Sequence, residues 1–307
     1  MHASGLPRPI LLDCDPGTDD ALAILLALAS PELAIEAITV PGGNAPLERT
    51  LANALGLVAL AGKIIPVHAG ADRALLGPYP PGWSGHGADG MAGVALPPGQ
   101  AAAPGIAADA IRAALGAAPA PLTLVGIAPA TNLALALATE PALAANVAEI
   151  VLMSGARNAG NTTPAAEFNA HADPEALAIL TASGAPLTLV PLEAGRAVRA
   201  SPARIASLAA AGSGRAIRTA GAILTALPRP AAETGPALYD PLAIAWLIRP
   251  ALFRARPITL AIDRDPGPAR GRTLIAEAPA PTRTRLLEPL DPDGIFALLA
   301  ERLARLP

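Results

Sequence analysis

The apolar residues of this 307-residue chain fall into blocks of two kinds, and the two kinds alternate. Short aliphatic runs read as buried strands, and longer stretches with apolar residues three and four apart read as helices. In chain order the pattern predicts a strand over 10–12, a helix over 19–29, a strand over 33–40, a helix over 48–61 and a strand over 64–67. A Gly- and Pro-dense stretch over 77–93 reads as a long loop of the kind that covers a binding site. The alternation resumes with helices over 106–115, 132–138 and 173–181, interleaved with strands over 122–127, 149–153 and 187–192. The last third predicts helices over 214–227, 241–248 and 291–306, antiparallel strands over 258–262 and 272–277, and an irregular connection over 228–236. Strand–helix alternation is the signature of a mostly parallel sheet flanked by helices. The expected fold is therefore α/β: a single large domain over 1–307 with a Rossmann-like, mostly parallel central sheet, antiparallel strands and a closing helix near the C-terminus.

Polar clusters interrupt this pattern just after predicted strands: 13–20, Gly43-Asn44, 128–132 and 154–169. Ligands of open parallel sheets sit beyond the carboxyl ends of the strands, so the four stretches are expected to converge on one site. The densest is Asp13-Cys14-Asp15-Pro16-Gly17-Thr18-Asp19-Asp20, with four carboxylates in eight residues. Two carboxylates about 4 Å apart repel by roughly 4 kcal/mol at an effective dielectric near 20. Arg8 is the only basic residue nearby in the chain, so a divalent cation is the expected partner. If Asp15 caps the helix and Pro16 opens it, Asp19 and Asp20 fall in or just beyond its first turn, where the helix N-terminus tolerates acids. Capping accounts for one or two acids but not four. The similar letters Asp263-Arg264-Asp265-Pro266-Gly267 lead into no apolar helix and read as an ordinary turn.

Composition narrows the function. The chain is 52% apolar and 15% charged, which suits a globular core. Its net charge is −3, Lys63 is its single lysine, and it has no basic run, so neither nucleic acid nor an acidic membrane surface is an expected partner. Cys14 is the only cysteine, which rules out an intrachain disulfide. The N-terminal residues lack the pattern of a signal peptide, and no apolar run approaches the ~18 residues of a membrane span. A cytoplasmic protein is the expectation.

The ordered motifs resemble those of calcium-dependent nucleoside hydrolases of the inosine/uridine-preferring type. They are the Asp-x-Asp-Pro-Gly-x-Asp-Asp-Ala segment ending at Ala21, Gly43-Asn44, His86-Gly87-Ala88-Asp89-Gly90, Thr131-Asn132-Leu133-Ala134, Val151-Leu152-Met153-Ser154-Gly155, Gly160-Asn161, Glu167-Phe168-Asn169, Asp173-Pro174-Glu175-Ala176 and Asp240-Pro241. The resemblance spans essentially the whole chain. It implies hydrolysis of the N-glycosidic bond of ribonucleosides to base and ribose, with a water activated on Ca²⁺. It assigns the metal to Asp15, Asp20, Asp240 and the backbone carbonyl of Ile127, an all-oxygen set suited to a hard cation. It makes Asp15 the general base and puts Asp13 behind the metal as support. Asp19 and Asn44 take the 2′/3′ side of the ribose, Asn161 and Glu167 its 5′-hydroxyl, and Asn169 its 3′-hydroxyl, with Met153 packing beneath. Phe168 is counted with the substrate-binding residues, although it and Met153 read as core residues when taken singly. A homodimer or homotetramer is the implied assembly.

The chain departs from the family at the leaving group. Well-known members carry histidine before the late metal-binding aspartate, and here that position is Tyr239. Tyrosine, with an ordinary pKa near 10, is a poorer proton donor at neutral pH. His86 in the long loop is the first alternative donor, and Trp83 or Tyr79 are candidates to stack on the base. Two other readings stay open: a nucleoside- or sugar-binding protein with little turnover, and a phosphatase of the haloacid dehalogenase type, which also opens with strand-Asp-x-Asp.

Overall fold

The computed structural model describes residues 6–227 and 235–307. The first third comprises β1 (Arg8–Asp13), α1 (Thr18–Leu28), β2 (Leu33–Val40), α2 (Leu47–Leu60) and β3 (Val67–Ala69). After a long loop come α3 (Ala107–Ala117), β4 (Leu122–Gly126), α4 (Thr131–Thr139), β5 (Val147–Met153), α5 (Phe168–Ala172), α6 (Pro174–Ala182) and β6 (Leu187–Val190). The rest is α7 (Leu192–Ala197), α8 (Pro202–Ala210), α9 (Arg215–Ala226), α10 (Pro241–Ile248), β7 (Phe253–Ile262), β8 (Thr273–Glu277), β9 (Thr284–Pro289) and α11 (Pro292–Leu303).

The strands form one nine-stranded sheet in the order β3-β2-β1-β4-β5-β6-β9-β7-β8. It is parallel from β3 through β9, and only β7 and β8 run antiparallel to their neighbours. Alternation within the strands builds two cores. Ile10, Leu12, Ile38, Val125 and Val151 face one layer with α1, α2, α9, α10 and α11. Leu11, Ala37, Leu124 and Ile150 face the other with α3, α4 and α6. Side chains two apart share a sheet face, so strands covered on both sides are apolar throughout. Because α1 is enclosed by neighbours, it is buried at every position but Asp19.

Several details differ from the sequence expectation. Strand β3 starts at Val67, because Ile64 lies outside the sheet and is 87% exposed. The strand expected over 187–192 stops at Val190, since Pro191 has no N–H for the ladder and Leu192 opens α7. Helix α1 begins after Gly17, not Asp15, and Gly17 is its N-cap. Asp263 to Gly267 lies between the paired strands β7 and β8, as a turn should. Most of the connection expected over 228–236 lies outside the described residues. Among those described, no helix is long and apolar enough to cross a membrane.

Candidate active site

Strands β2 and β3 lie on one side of β1, and the chain returns with β4 on the other. Such a reversal opens a crevice at the carboxyl ends of the strands. Here Asp13 ends β1 in register with Gly126, the last residue of β4, and Gly126 pairs with Leu152 of β5. A pocket of about 570 Å³ lies in this region, lined by Asp19, Asn44, Ile127, Met153, Asn161, Glu167, Phe168, Asn169, Tyr239 and Asp240, among others. That volume suits a small ligand. Three of the four polar stretches expected to converge line the pocket, and the 128–132 stretch lies behind, where Asn132 donates to Asp13.

The acid cluster is organised by the start of α1. Asp20 reaches back to accept from the N–H groups of Gly17 (3.1 Å) and Asp15 (3.2 Å), and from Asn44 Nδ2 (2.9 Å). The Gly17 N–H belongs to the N-cap of the helix, where free N–H groups favour a carboxylate. Asp15 Oδ2 accepts from the N–H of Asn44 at 2.7 Å, and its Oδ1 is buried without a partner. A Cβ at Gly43 would overlap Asp15 Oδ2, so only glycine lets the turn after β2 come this close. Asp13 lies behind, accepting from Thr39 Oγ1 (2.6 Å) and Asn132 Nδ2 (2.9 Å), with Oδ2 unpartnered. Oxygens of Asp19, Asp20 and Asp240 come within 4.8 Å of one another. This triplet includes Asp19, expected on the ribose, and leaves Asp15 to one side.

Burial pushes the Asp13 carboxyl up to about 7, against the pull of its two hydrogen bonds. Asp20 also rises to about 7, through burial and then the charge of Asp19. Asp15 and Asp240 are driven well above the usual carboxylate range, first by burial and next by neighbouring carboxylates, chiefly Asp20 for Asp15 and Asp19 for Asp240. No arginine or lysine forms an ion pair with these acids among the described residues. Arg8, the basic residue nearest in sequence, sits at the far end of β1 beside Glu149. Unpartnered carboxylate oxygens, mutual repulsion and an all-oxygen donor set fit a hard divalent cation.

The ribose-side residues are tied into the backbone. Asn169 donates from Nδ2 to the Met153 carbonyl (3.0 Å) and, more loosely, to that of Ile127 (3.4 Å). Glu167 is buried and no surface acid. It caps α5, accepting from the N–H groups of Asn169 (2.9 Å), Ala170 (3.1 Å) and Gly155 (2.9 Å), and burial raises it to about 7. Asn161 is exposed and caps the N–H of Phe168 at 2.9 Å.

Residues 10–297 match the family model described as inosine-uridine preferring nucleoside hydrolase. The chain belongs to this family. It is 38% identical, over 97% of its length and 99% of the relative's, to the pyrimidine-specific ribonucleoside hydrolase RihA of Photobacterium profundum. Among solved structures it is similar to the plant nucleoside hydrolase PpNRh1 (TM-score 0.88, 29% identity, 97% of this chain and 99% of that one). It is also similar to a purine-preferring ribonucleoside hydrolase from Gardnerella vaginalis (TM-score 0.87, 28% identity, 97% and 98%). The activity is ribonucleoside hydrolysis at the N-glycosyl bond in a metal-dependent family, which overturns the phosphatase alternative.

Around this nucleoside hydrolase site, the loop over 77–93 separates its aromatics. Trp83 lines the pocket, half-exposed, with its ring edge-on to His86 at 5.3 Å. Tyr79 does not line it: its ring packs near Gly42 and its hydroxyl donates to Thr131 Oγ1 at 2.8 Å. His86 is buried, and its Nδ1 accepts from the Thr18 N–H at 3.2 Å. That bond puts the neutral ring's proton on Nε2. Burial lowers the His86 pKa, and Asp19 partly offsets this. The Tyr239 ring stands against Gly195, where a Cβ would overlap its Cδ1. Burial raises the phenol's pKa, as does Asp19, against the pull of Arg196 and Arg199.

Several positioning residues were not anticipated. Thr18 orients His86, and Asn53 of α2 ties the carbonyls of Pro16 and Asp89, at 3.0 and 2.8 Å, holding the loop beside the acid motif. Arg196 and Arg199 line the pocket. Pro16, His86 and Asp89 lie in motifs the sequence displays, whereas Asn53 carried no such signal.

Proposed function

We propose that the protein is a Ca²⁺-dependent hydrolase of pyrimidine ribonucleosides, built on residues 1–307 as one catalytic unit. The observation carrying this reading is the buried acid cluster without a protein cation, set beside a nucleoside-sized pocket. Asp15, Asp20, Asp240 and the Ile127 carbonyl would hold the ion. When bound, it supplies polarisation of a water molecule and a grip on sugar hydroxyls. Asp15 is the general base, and its unpartnered Oδ1 is the free acceptor for the proton of that water. Asp19 and Asn44 take the 2′/3′ side of the ribose, Asn169 the 3′-hydroxyl, and Asn161 and Glu167 the 5′-hydroxyl, over Met153 and Phe168. Carboxylates and amide oxygens around the sugar stabilise its positive charge as the bond breaks. His86, neutral and carrying its proton on Nε2, offers a hydrogen bond to the base, as does the Tyr239 hydroxyl. Pyrimidine preference is supported by the 38% identity to an enzyme named for it. A cytoplasmic homodimer or homotetramer completes the proposal, on the strength of the family resemblance.

Ribose release from a ribonucleoside panel, with chelator and then with added Ca²⁺ or Mg²⁺, tests it. Uridine and cytidine should exceed inosine and guanosine, and Ca²⁺ should restore activity best. Chelator-insensitive release sinks the metal assignment, and purine preference sinks the substrate assignment.

A further inference from the structure

The pocket holds cations as well as acids. Arg196 of α7 and Arg199 just beyond it both line it, half-buried. Among the described residues neither is paired with a carboxylate. Arg196 donates to the Ala159 and Gly160 carbonyls, both at 2.9 Å, and Arg199 to the Gly235 carbonyl at 3.2 Å. A guanidinium carries five N–H donors, so among the described residues each keeps several without a partner. Tyr239 lines the same pocket, with its ring against Gly195, the residue before Arg196, so the arginines share the pocket wall where the base is expected. Gly195 permits this arrangement, because it leaves the Tyr239 ring room to lie beside the same short helix.

The reaction creates a need at that place. As the bond to C1′ breaks, its electron pair moves to the base nitrogen. In a pyrimidine, the charge spreads onto the ring carbonyl oxygens. A phenol with an ordinary pKa near 10 is a weak source of a proton at neutral pH. A guanidinium, permanently charged and planar, meets such oxygens with directed N–H groups.

We propose that Arg196 and Arg199 contact the leaving base and stabilise it as an anion, taking over from a proton-donating residue. The inference rests on the pyrimidine reading above. The oxygen of water bonds to C1′, and the C1′–N bond breaks with its pair going to the base. The water's proton passes to Asp15. The base departs as the anion and takes a proton from bulk water afterwards.

Leaving-group dependence tests this on the Ca²⁺-loaded enzyme, comparing uridine with 4-nitrophenyl β-D-ribofuranoside, whose phenolate departs readily without help. Arg199 is the better target because Arg196 also holds the 159–160 backbone. Arg199→Gln should lower kcat/KM for uridine about 100-fold, the scale of losing one preorganised donor to a developing anion. The loss on the nitrophenyl riboside should be under about tenfold. Arg199→Lys, which keeps the charge but not the fork, should fall between and guards against a folding failure of the first variant. Equal losses on both substrates would reduce Arg199 to a scaffold residue and overturn the proposal. So would a wild-type preference for uridine 5′-monophosphate over uridine that Arg199→Gln abolishes, because the cations would then read a phosphate. Wild-type preference for purine nucleosides would instead defeat the pyrimidine reading, and the ratio between the two test substrates would still report on the arginines.

Discussion

The two ends of the central sheet bury carboxylates under opposite rules. Towards the amino ends of the strands, Glu149 of β5 is compensated by the protein. Arg285 lies 3.2 Å away and Arg8 3.6 Å, with Thr188 and the Trp246 indole N–H also donating to it. At the carboxyl ends, Asp13, Asp15, Asp20 and Asp240 crowd together with hydrogen bonds but no ion pair among the described residues, and two of their oxygens have no partner. The first arrangement is complete as it stands and serves the fold. The second stores repulsion that a bound cation relieves, so it serves binding. A buried acid thus marks a working site by what fails to neutralise it, more than by its burial.

Three perturbations bear on this contrast, and the largest effect belongs to the carboxyl end. Asp15→Asn should lower kcat by about 10³-fold or more, the upper part of the range for general bases. The same change should raise the thermal midpoint of the cation-free protein, because one buried charge is gone. A fall in both quantities would erase the distinction between the two ends. At the amino end, Glu149→Gln should cost about 2 kcal/mol in urea unfolding, less than a fully buried pair because both arginines are partly exposed. Its kcat/KM should stay near the original value.

The third perturbation is a change of pH. Asp13 and Asp20 move from 3.8, and Glu167 from 4.5, to about 7 in the fold. Between pH 4 and 7 the unfolded chain loses these protons while the folded chain keeps them. Folding is thus favoured below that window and progressively weakened through it. Chelated protein should therefore lose about 5 °C or more in Tm from pH 4.5 to 7.5. Added Ca²⁺, which competes with protons for these oxygens, should reverse much of the loss near neutral pH. A Tm that climbs with pH under chelation would contradict the carboxyl-end account.

Much of this was legible along the chain, and the rest was lost for physical reasons. Strand β2 and helix α10 match their predicted bounds, because Pro41 and Pro241 mark a stop and a start that no neighbour overrides. Strand β9 escaped notice. It presents only Leu286 and Leu287 to the cores, and its partners β6 and β7 are set by tertiary contact. The acid motif was plain as a cluster, but which of its oxygens draw together depends on side-chain rotation, and those of Asp19, Asp20 and Asp240 come within 4.8 Å of one another. Arg196 and Arg199 carried no signal, because isolated arginines on a short amphipathic stretch read as solvated surface. Thr18 and Asn53 act through single hydrogen bonds to distant loops, which no local pattern encodes.

The contact between Gly195 and Tyr239 also constrains how this sequence can change. With glycine at 195, position 239 is free to vary in size, and a tyrosine can arrive or leave in one step. Once a side chain occupies 195, the tyrosine ring has no seat, because the new Cβ takes the space of its Cδ1. Shrinking residue 239 alone would not let residue 195 grow, because a Cβ there also meets the Leu238 carbonyl oxygen at 2.8 Å, so glycine at 195 is held by the backbone as well as by the ring.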